Sequence, residues 1–241
     1  MESRIDHEIS HGKKLRREGA EVIWNWSTPA GKIRADKRAD LLSITGKISA
    51  TDSVLEIGCG TGLFTRLVYQ KTKAKITATD LSEDLLEEAR EKFPAGNFIR
   101  DDAMNMQFGN ESFDVVFGSS ILHHLSLKKS AEEIYRVLKP GGRMVFAEPN
   151  MLNPQIFIQK NIPFIKKWMG DSPDETAIVR WKYKKLLEQT GFTNVSIFPY
   201  DFLHPVTPKF FIPAVDGIGR MIEKVPLLRE IAGSVIIYAE K

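Results

Sequence analysis

Three glycines, Gly58, Gly60 and Gly62, fall within five positions between an apolar run at 53–57 and a helical pattern at 63–70. A glycine-rich turn leaving a strand lets bare backbone approach a ligand, and phosphate is the usual one. Two details argue for a different ligand here. The dinucleotide fingerprint G-x-G-x-x-G requires a third glycine where this chain has Leu63. Glu56 stands two residues before the first glycine, and a carboxylate repels a pyrophosphate but attracts an ammonium group. The second candidate for chemistry is the histidine pair in GSSILHHL, His123 and His124. Histidine titrates near neutrality and can take a proton from a hydroxyl. The lone cysteine, Cys59, lies inside the glycine turn, where a small side chain suits the tight space. One cysteine permits no internal disulfide and no cysteine-rich zinc site.

These residues need elements to hold them. Short apolar runs at 53–57, 75–79, 97–100, 113–117 and 143–147 read as strands, separated by helical patterns at 63–70, 82–93 and 130–138. Ser82 is the expected N-cap of the second helix, with acids in its first turn, and KPGG is expected to stop the third. Strand–helix alternation at this spacing predicts a doubly wound, Rossmann-like α/β fold. A helix at 174–189 and strands at 195–200 and 234–239 are expected to complete a seven-stranded sheet, mostly parallel with the last strand antiparallel. Ligands of such sheets bind at the carboxyl ends of the strands, where the strand order reverses. A helix is also expected at 35–43.

The ordered set formed by E-x-G-x-G-x-G, Asp80 ending the second strand, Asp102-Ala103 after the third, and RVLKPGGRMVFAEPN resembles the class I S-adenosylmethionine-dependent methyltransferases. The subgroup most like it is the small-molecule set typified by ubiquinone- and menaquinone-biosynthesis enzymes. The resemblance covers about residues 51–150. It implies S-adenosylmethionine as cofactor, with S-adenosylhomocysteine as product, held by Gly58, Cys59, Gly60 and Gly62. It implies Glu56 and the Ser119 carbonyl for the methionine ammonium, Asp80 for the ribose hydroxyls, and Leu81 for the adenine face. Asp102 and the Ala103 N–H would serve the adenine edge, and Arg34 the cofactor carboxylate. His123 and His124 stand where the subgroup places a histidine facing the acceptor, and Glu148 would orient it or bind the acceptor. Residues 1–50 are then an N-terminal helical lid and 51–241 the methyltransferase core. A cap at 150–172 and an insertion at 201–233 would surround the acceptor with aromatics, among them Phe202, Phe210 and Phe211, joined by Trp24 and Trp26.

Composition sets the outer bounds. In 241 residues the net charge is +3, too small to imply nucleic acid. The basic clusters at 13–17 and 32–38, Arg34 and Arg38 included, read as solvated faces. The start MESRIDHEIS has no apolar signal core and no run approaches membrane-span length, so the expected location is cytoplasmic. No metal site is expected, because the adjacent carboxylates Asp101 and Asp102 point apart on a strand end. The motifs of DNA-base, cytosine and protein-arginine methylation are missing, which leaves a small-molecule acceptor, bulky and partly apolar. A hydroxyl oxygen is the favoured acceptor atom; carbon or nitrogen of a quinone-like or lipid-linked molecule is the alternative. A nucleotide-binding or non-catalytic cofactor-binding protein is the reading from another class. The stretch VDGIGRMIEKVPLL has apolar residues at helical spacing, and suits docking on the fold or peripheral contact with a membrane.

Overall fold

The computed structural model describes residues 4–162, 164–165 and 176–241. Its seven strands are β1 (Ser53–Ile57), β2 (Lys75–Asp80), β3 (Asn97–Arg100), β4 (Phe113–Ser119), β5 (Leu138–Pro149), β6 (Thr193–Tyr200) and β7 (Ser234–Glu240). They form one sheet in the order β3-β2-β1-β4-β5-β7-β6. The first five run parallel, and β7 is antiparallel to both its neighbours. The chain works outward from β1 to β3, then returns to lay β4 on the other side of β1. The order therefore reverses between β1 and β4, and the glycine turn follows β1 at that point.

Period-two alternation splits the strand side chains between two cores. Leu55, Val116, Phe146 and Ile237 face one way, onto Ile134 of α6 (Leu127–Val137) and Leu187 of α8 (Arg180–Thr190). Val54, Val115, Val145 and Ile236 face the other. There they meet Leu42 of α3 (Pro29–Thr45), Phe64 of α4 (Leu63–Thr72) and Leu86 of α5 (Glu83–Lys92). Buried on both faces, the central strands need the near-continuous apolar sequence they have.

Several boundaries differ from the sequence expectation, each for a local reason. α3 starts at Pro29 because the Thr28 side chain accepts from the Gly31 N–H and proline suits the first helical turn. KPGG does not separate α6 from β5 but opens β5. Gly141 adopts φ +74°, its N–H donates to the Lys241 carbonyl, and the register with β4 shifts there, as a bulge allows. The helix expected from 174 begins at Arg180, and its first expected residues lie outside those described. Of the cap expected at 150–172, residues 163 and 166–172 also lie outside them.

The N-terminal segment packs over the sheet's carboxyl edge. α1 (Arg4–Glu18) lies on α5, held by Arg16 to Glu87 and Glu91. Gly12 sits so close to the α5 N-cap that a Cβ there would lie 2.1 Å from Ser82 Oγ. After α2 (Ala20–Ile23) the chain brings Trp24 against Gly60 and Trp26 edge-on to Phe64. Glu21 joins the segment to the core by accepting from Thr61 Oγ1 at 3.0 Å and Lys92 Nζ at 2.6 Å.

Two further pieces close the same edge. α7 (Pro154–Asn161) is capped by Asn153, whose side-chain oxygen accepts from the N–H groups of Gln155 and Ile156. α9 (Ile212–Ile222) packs Ile212 and Val215 on Leu203 and Ala30. The chain leading into α7 is tied to the segment after α9, since Asn153 Nδ2 donates to the Ile231 carbonyl and Asn150 Nδ2 to those of Glu230 and Ala232.

Candidate active site at the switch point

A cavity of about 510 Å³ lies over the carboxyl ends of β1, β2 and β4. Gly58, Cys59, Gly60 and Thr61 form its floor, Asp80 and Leu81 one end, and Asp101, Asp102 and Ala103 the flank beyond. Ser119, Ser120, His123 and His124 line the side after β4, while Trp24, Trp26 and α7 cover it.

The turn is glycine for a stated reason. Gly58, Gly60 and Gly62 all have φ between +52° and +73°, and a Cβ on Gly58 would lie 2.4 Å from the Ile121 side chain. Asp80 braces the turn, with Oδ2 accepting from the Gly60 N–H and Oδ1 from the Ser82 N–H, both at 2.9 Å. Burial raises its pKa, and the N–H groups of Ser82, Gly60 and Leu81 oppose that rise. Asp102 accepts from the Met104 N–H at 3.0 Å and shares the cavity flank with Ala103. Burial pushes the Cys59 thiol well up, which makes it a poor nucleophile.

Glu56 is placed differently from the sequence expectation. It is 1% exposed, is absent from the cavity lining, and accepts from the Thr65 hydroxyl of α4 beneath the turn. Burial pushes its pKa up to about 8. An unfolded glutamate releases its proton near pH 4.5. Folding stability from this group is therefore complete below that value and is lost as pH rises through 8. Glu56→Gln keeps an acceptor for Thr65 and removes the titration. Its melting temperature should match wild type at pH 5 and exceed it by about 5–10 °C at pH 8.5. Parallel melting curves across that range would refute the assignment.

Arg34 and Arg38 both line the cavity, and they differ in their partners. Arg34 Nε donates to Asp201 Oδ2 at 2.7 Å, so its charge is already matched. Arg38, read from sequence as solvated, is 3% exposed. Its Nη1 donates to the hydroxyls of Ser119 at 3.0 Å and Ser120 at 2.8 Å, and its Nη2 to Ser234 at 3.0 Å. The guanidinium stands 5.0 Å over the Trp26 ring. It has no carboxylate partner among the described residues, although it lines the cavity. A buried cation held only by hydroxyls is costly unless a ligand anion completes it. The sequence did carry a signal. Ala35, Arg38, Ala39 and Leu42 share the buried stripe of α3 at three- and four-residue spacing.

The histidine pair is built by β4 and β5 together. His123, 7% exposed, presents Nδ1 to Glu148 Oε2 at 2.8 Å. Glu148 Oε1 accepts from the N–H groups of Ile121 and Leu122, each at 2.9 Å, which fixes the carboxylate. A carboxylate only accepts, so Nδ1 is the donor in this pair and Nε2 is the ring nitrogen left for another partner. The His124 ring stacks on His123 at 4.2 Å. The expected aromatics of the insertion lie elsewhere. Phe210 and Phe211 are exposed, Phe202 packs on Gly219, and none of the three lines the cavity.

Sheet order, glycine turn and the acid ending β2 define a Rossmann-like methyltransferase domain, and the methyltransferase domain family matches residues 55–146. O-methyltransferase cnsE of Penicillium expansum is 32% identical over 236 residues, covering 90% of this chain and 83% of that protein. An uncharacterized methyltransferase-like protein of Schizosaccharomyces pombe is 29% identical over 160 residues, or 66% of this chain. That match spans 61% of the yeast protein, under two thirds of its length. Phosphoethanolamine N-methyltransferase 2 of Haemonchus contortus, solved with phosphomonomethylethanolamine and S-adenosylhomocysteine, shares the fold. Its TM-score is 0.67 at 18% identity, over 100% of this chain and 60% of that one. The chain belongs to the class I S-adenosylmethionine-dependent methyltransferases. The cavity suits that cofactor: it offers a bare glycine floor, a carboxylate at the end of β2 and a buried guanidinium on its wall.

Proposed function

We propose that this protein methylates a hydroxyl oxygen of a small, partly apolar molecule, with His123 receiving the hydroxyl proton. The observation that carries the reading is the 2.8 Å contact between His123, which lines the cavity, and the buried Glu148 behind it. The printed name of the 32% relative, an O-methyltransferase, supports oxygen as the acceptor atom.

When bound, S-adenosylmethionine supplies an electrophilic methyl group on a sulfonium. Gly58, Cys59, Gly60 and Gly62 would hold it from below, Asp80 at the ribose, Leu81 at the adenine face, and Asp102 and Ala103 at the adenine edge. The Ser119 carbonyl would take the ammonium and Arg38, rather than the paired Arg34, the carboxylate. Glu56 contributes from beneath by tying the end of β1 to α4 through Thr65. Glu148 keeps His123 in the tautomer whose Nε2 accepts a proton, and Trp24, Trp26 and Ile156 exclude water from the displacement.

A panel of hydroxyl acceptors, read by release of S-adenosylhomocysteine, tests the assignment. His123→Ala should lose about 100-fold or more in kcat, while His124→Ala should keep most of it. Unchanged turnover in His123→Ala would remove the proposed base, and turnover only on amines or activated carbons would remove the oxygen.

A further inference from the structure

The outer face of the cap has a composition that its inner face does not explain. Of the nineteen large apolar side chains exposed among the described residues, thirteen lie in residues 157–164 and 206–231, so the exposure is concentrated in one region of the fold. α7 has its polarity reversed. Gln159 and Lys160 turn toward the cavity with Ile156, while Phe157 and Ile158 face solvent. α9 is apolar on two sides. Ile212, Val215 and Gly219 pack inward, and Ile218, Met221 and the following Val225 recur outward at three- and four-residue spacing. The charged residues of the helix, Asp216 and Arg220, pair with each other, so the outward apolar row stands at the surface without a covering element among the described residues. Phe210, just before α9, is 87% exposed, and Leu227, in the segment after it, 84%. The links from Asn150 and Asn153 to residues 230–232 make the two segments one body.

Charge selects the occupant. The three carboxylates within 206–231 are matched: Asp216 by Arg220, Glu223 by Lys37, and Glu230 by Arg180. Among the described residues, Lys209 and Lys224 have no acidic partner, and both are exposed. The region is thus apolar with surplus positive charge. A two-fold contact between copies of this chain would gather those lysines from both protomers onto one interface, which is unfavourable. An anionic bilayer accepts both features, apolar side chains at the acyl boundary and lysines at the phosphates. No helix among the described residues is long and apolar enough to cross a membrane, so the contact is peripheral.

We propose that the outer surface of the cap, formed by α7 and residues 206–231, docks on an anionic phospholipid bilayer. It is separate from the cavity lining and stands whichever acceptor is methylated.

Flotation of the full chain with phosphatidylcholine vesicles, with and without phosphatidylglycerol, tests this. Wild type should partition onto the anionic vesicles, and less so as salt rises. Phe210→Ser combined with Leu227→Ser should weaken partitioning by roughly tenfold or more. Lys209→Glu combined with Lys224→Glu should weaken it about tenfold on anionic vesicles and little on neutral ones. All four side chains are exposed, so melting temperature and S-adenosylhomocysteine affinity should stay at wild-type values in both variants. Absence of wild-type partitioning, or equal partitioning of wild type and the double serine variant, overturns the proposal. So does a dimer in sedimentation velocity that the serine substitutions dissociate, which would assign the surface to a second copy.

Discussion

Arg38→Met should weaken S-adenosylhomocysteine binding about 100-fold while leaving the ligand-free protein as stable as wild type, or more so. The two halves of this result have one cause. In the free protein the buried guanidinium donates to the hydroxyls of Ser119, Ser120 and Ser234, and desolvating a cation for neutral hydroxyls gains little. Methionine fills a similar volume between Trp26 and Phe64 without that penalty. With a ligand carboxylate in place the balance inverts, because removing one member of a buried, hydrogen-bonded ion pair costs about 2–5 kcal/mol. Calorimetric titration beside a thermal melt reads both quantities on one sample. Affinity within threefold of wild type would show that the carboxylate sits elsewhere. The matched substitution Arg34→Met should do the opposite, because it strands Asp201 and lowers the melting temperature.

Glu148→Gln should cost about 100-fold or more in kcat with little change in KM. The amide oxygen can still accept from the N–H groups of Ile121 and Leu122, so the loop after β4 keeps its shape. Its NH₂ then faces His123 Nδ1, which must become the acceptor, and the ring proton moves to Nε2 on the cavity side. A histidine in that tautomer cannot receive the hydroxyl proton. A purely structural role for Glu148 would instead lower the melting temperature and raise KM without a selective loss in kcat. Glu148→Asp, which keeps the charge but shortens the reach, should recover part of the rate.

Much of this was legible along the chain. The bounds of β1 and β3 follow directly from apolar runs between turn residues, and Ser82 caps α5 as its type and the acids after it imply. The glycine turn was readable because positive φ at three nearby positions leaves almost no residue choice. Arg38 was not readable in the same way. Its neighbours Lys32, Arg34 and Lys37 suggest a solvated face, and the hydroxyls that hold it lie 81–196 residues away. Glu56 shows the same limit. Its motif position suggested a ligand contact, whereas the contact found is to Thr65, one helix turn into α4. Phe210 and Phe211 were expected around the acceptor as part of a lid insertion, yet both are exposed, because their placement depends on how α9 seats on Leu203.

The sheet order also bears on how the chain assembles during synthesis. β6 has a single neighbour, β7, and the 33 residues at 201–233 separate the two. At translation rates of about 5–20 residues per second, β6 waits roughly two to seven seconds on the ribosome for its partner. β5 waits longer for the same strand on its far side. During that interval an unpaired edge of mostly apolar strand is open to solvent, the condition that holdase chaperones recognise. The nascent chain is therefore most exposed to misassembly after its cofactor half can already close, and that hazard ends only when the β7 strand slots between its two neighbours.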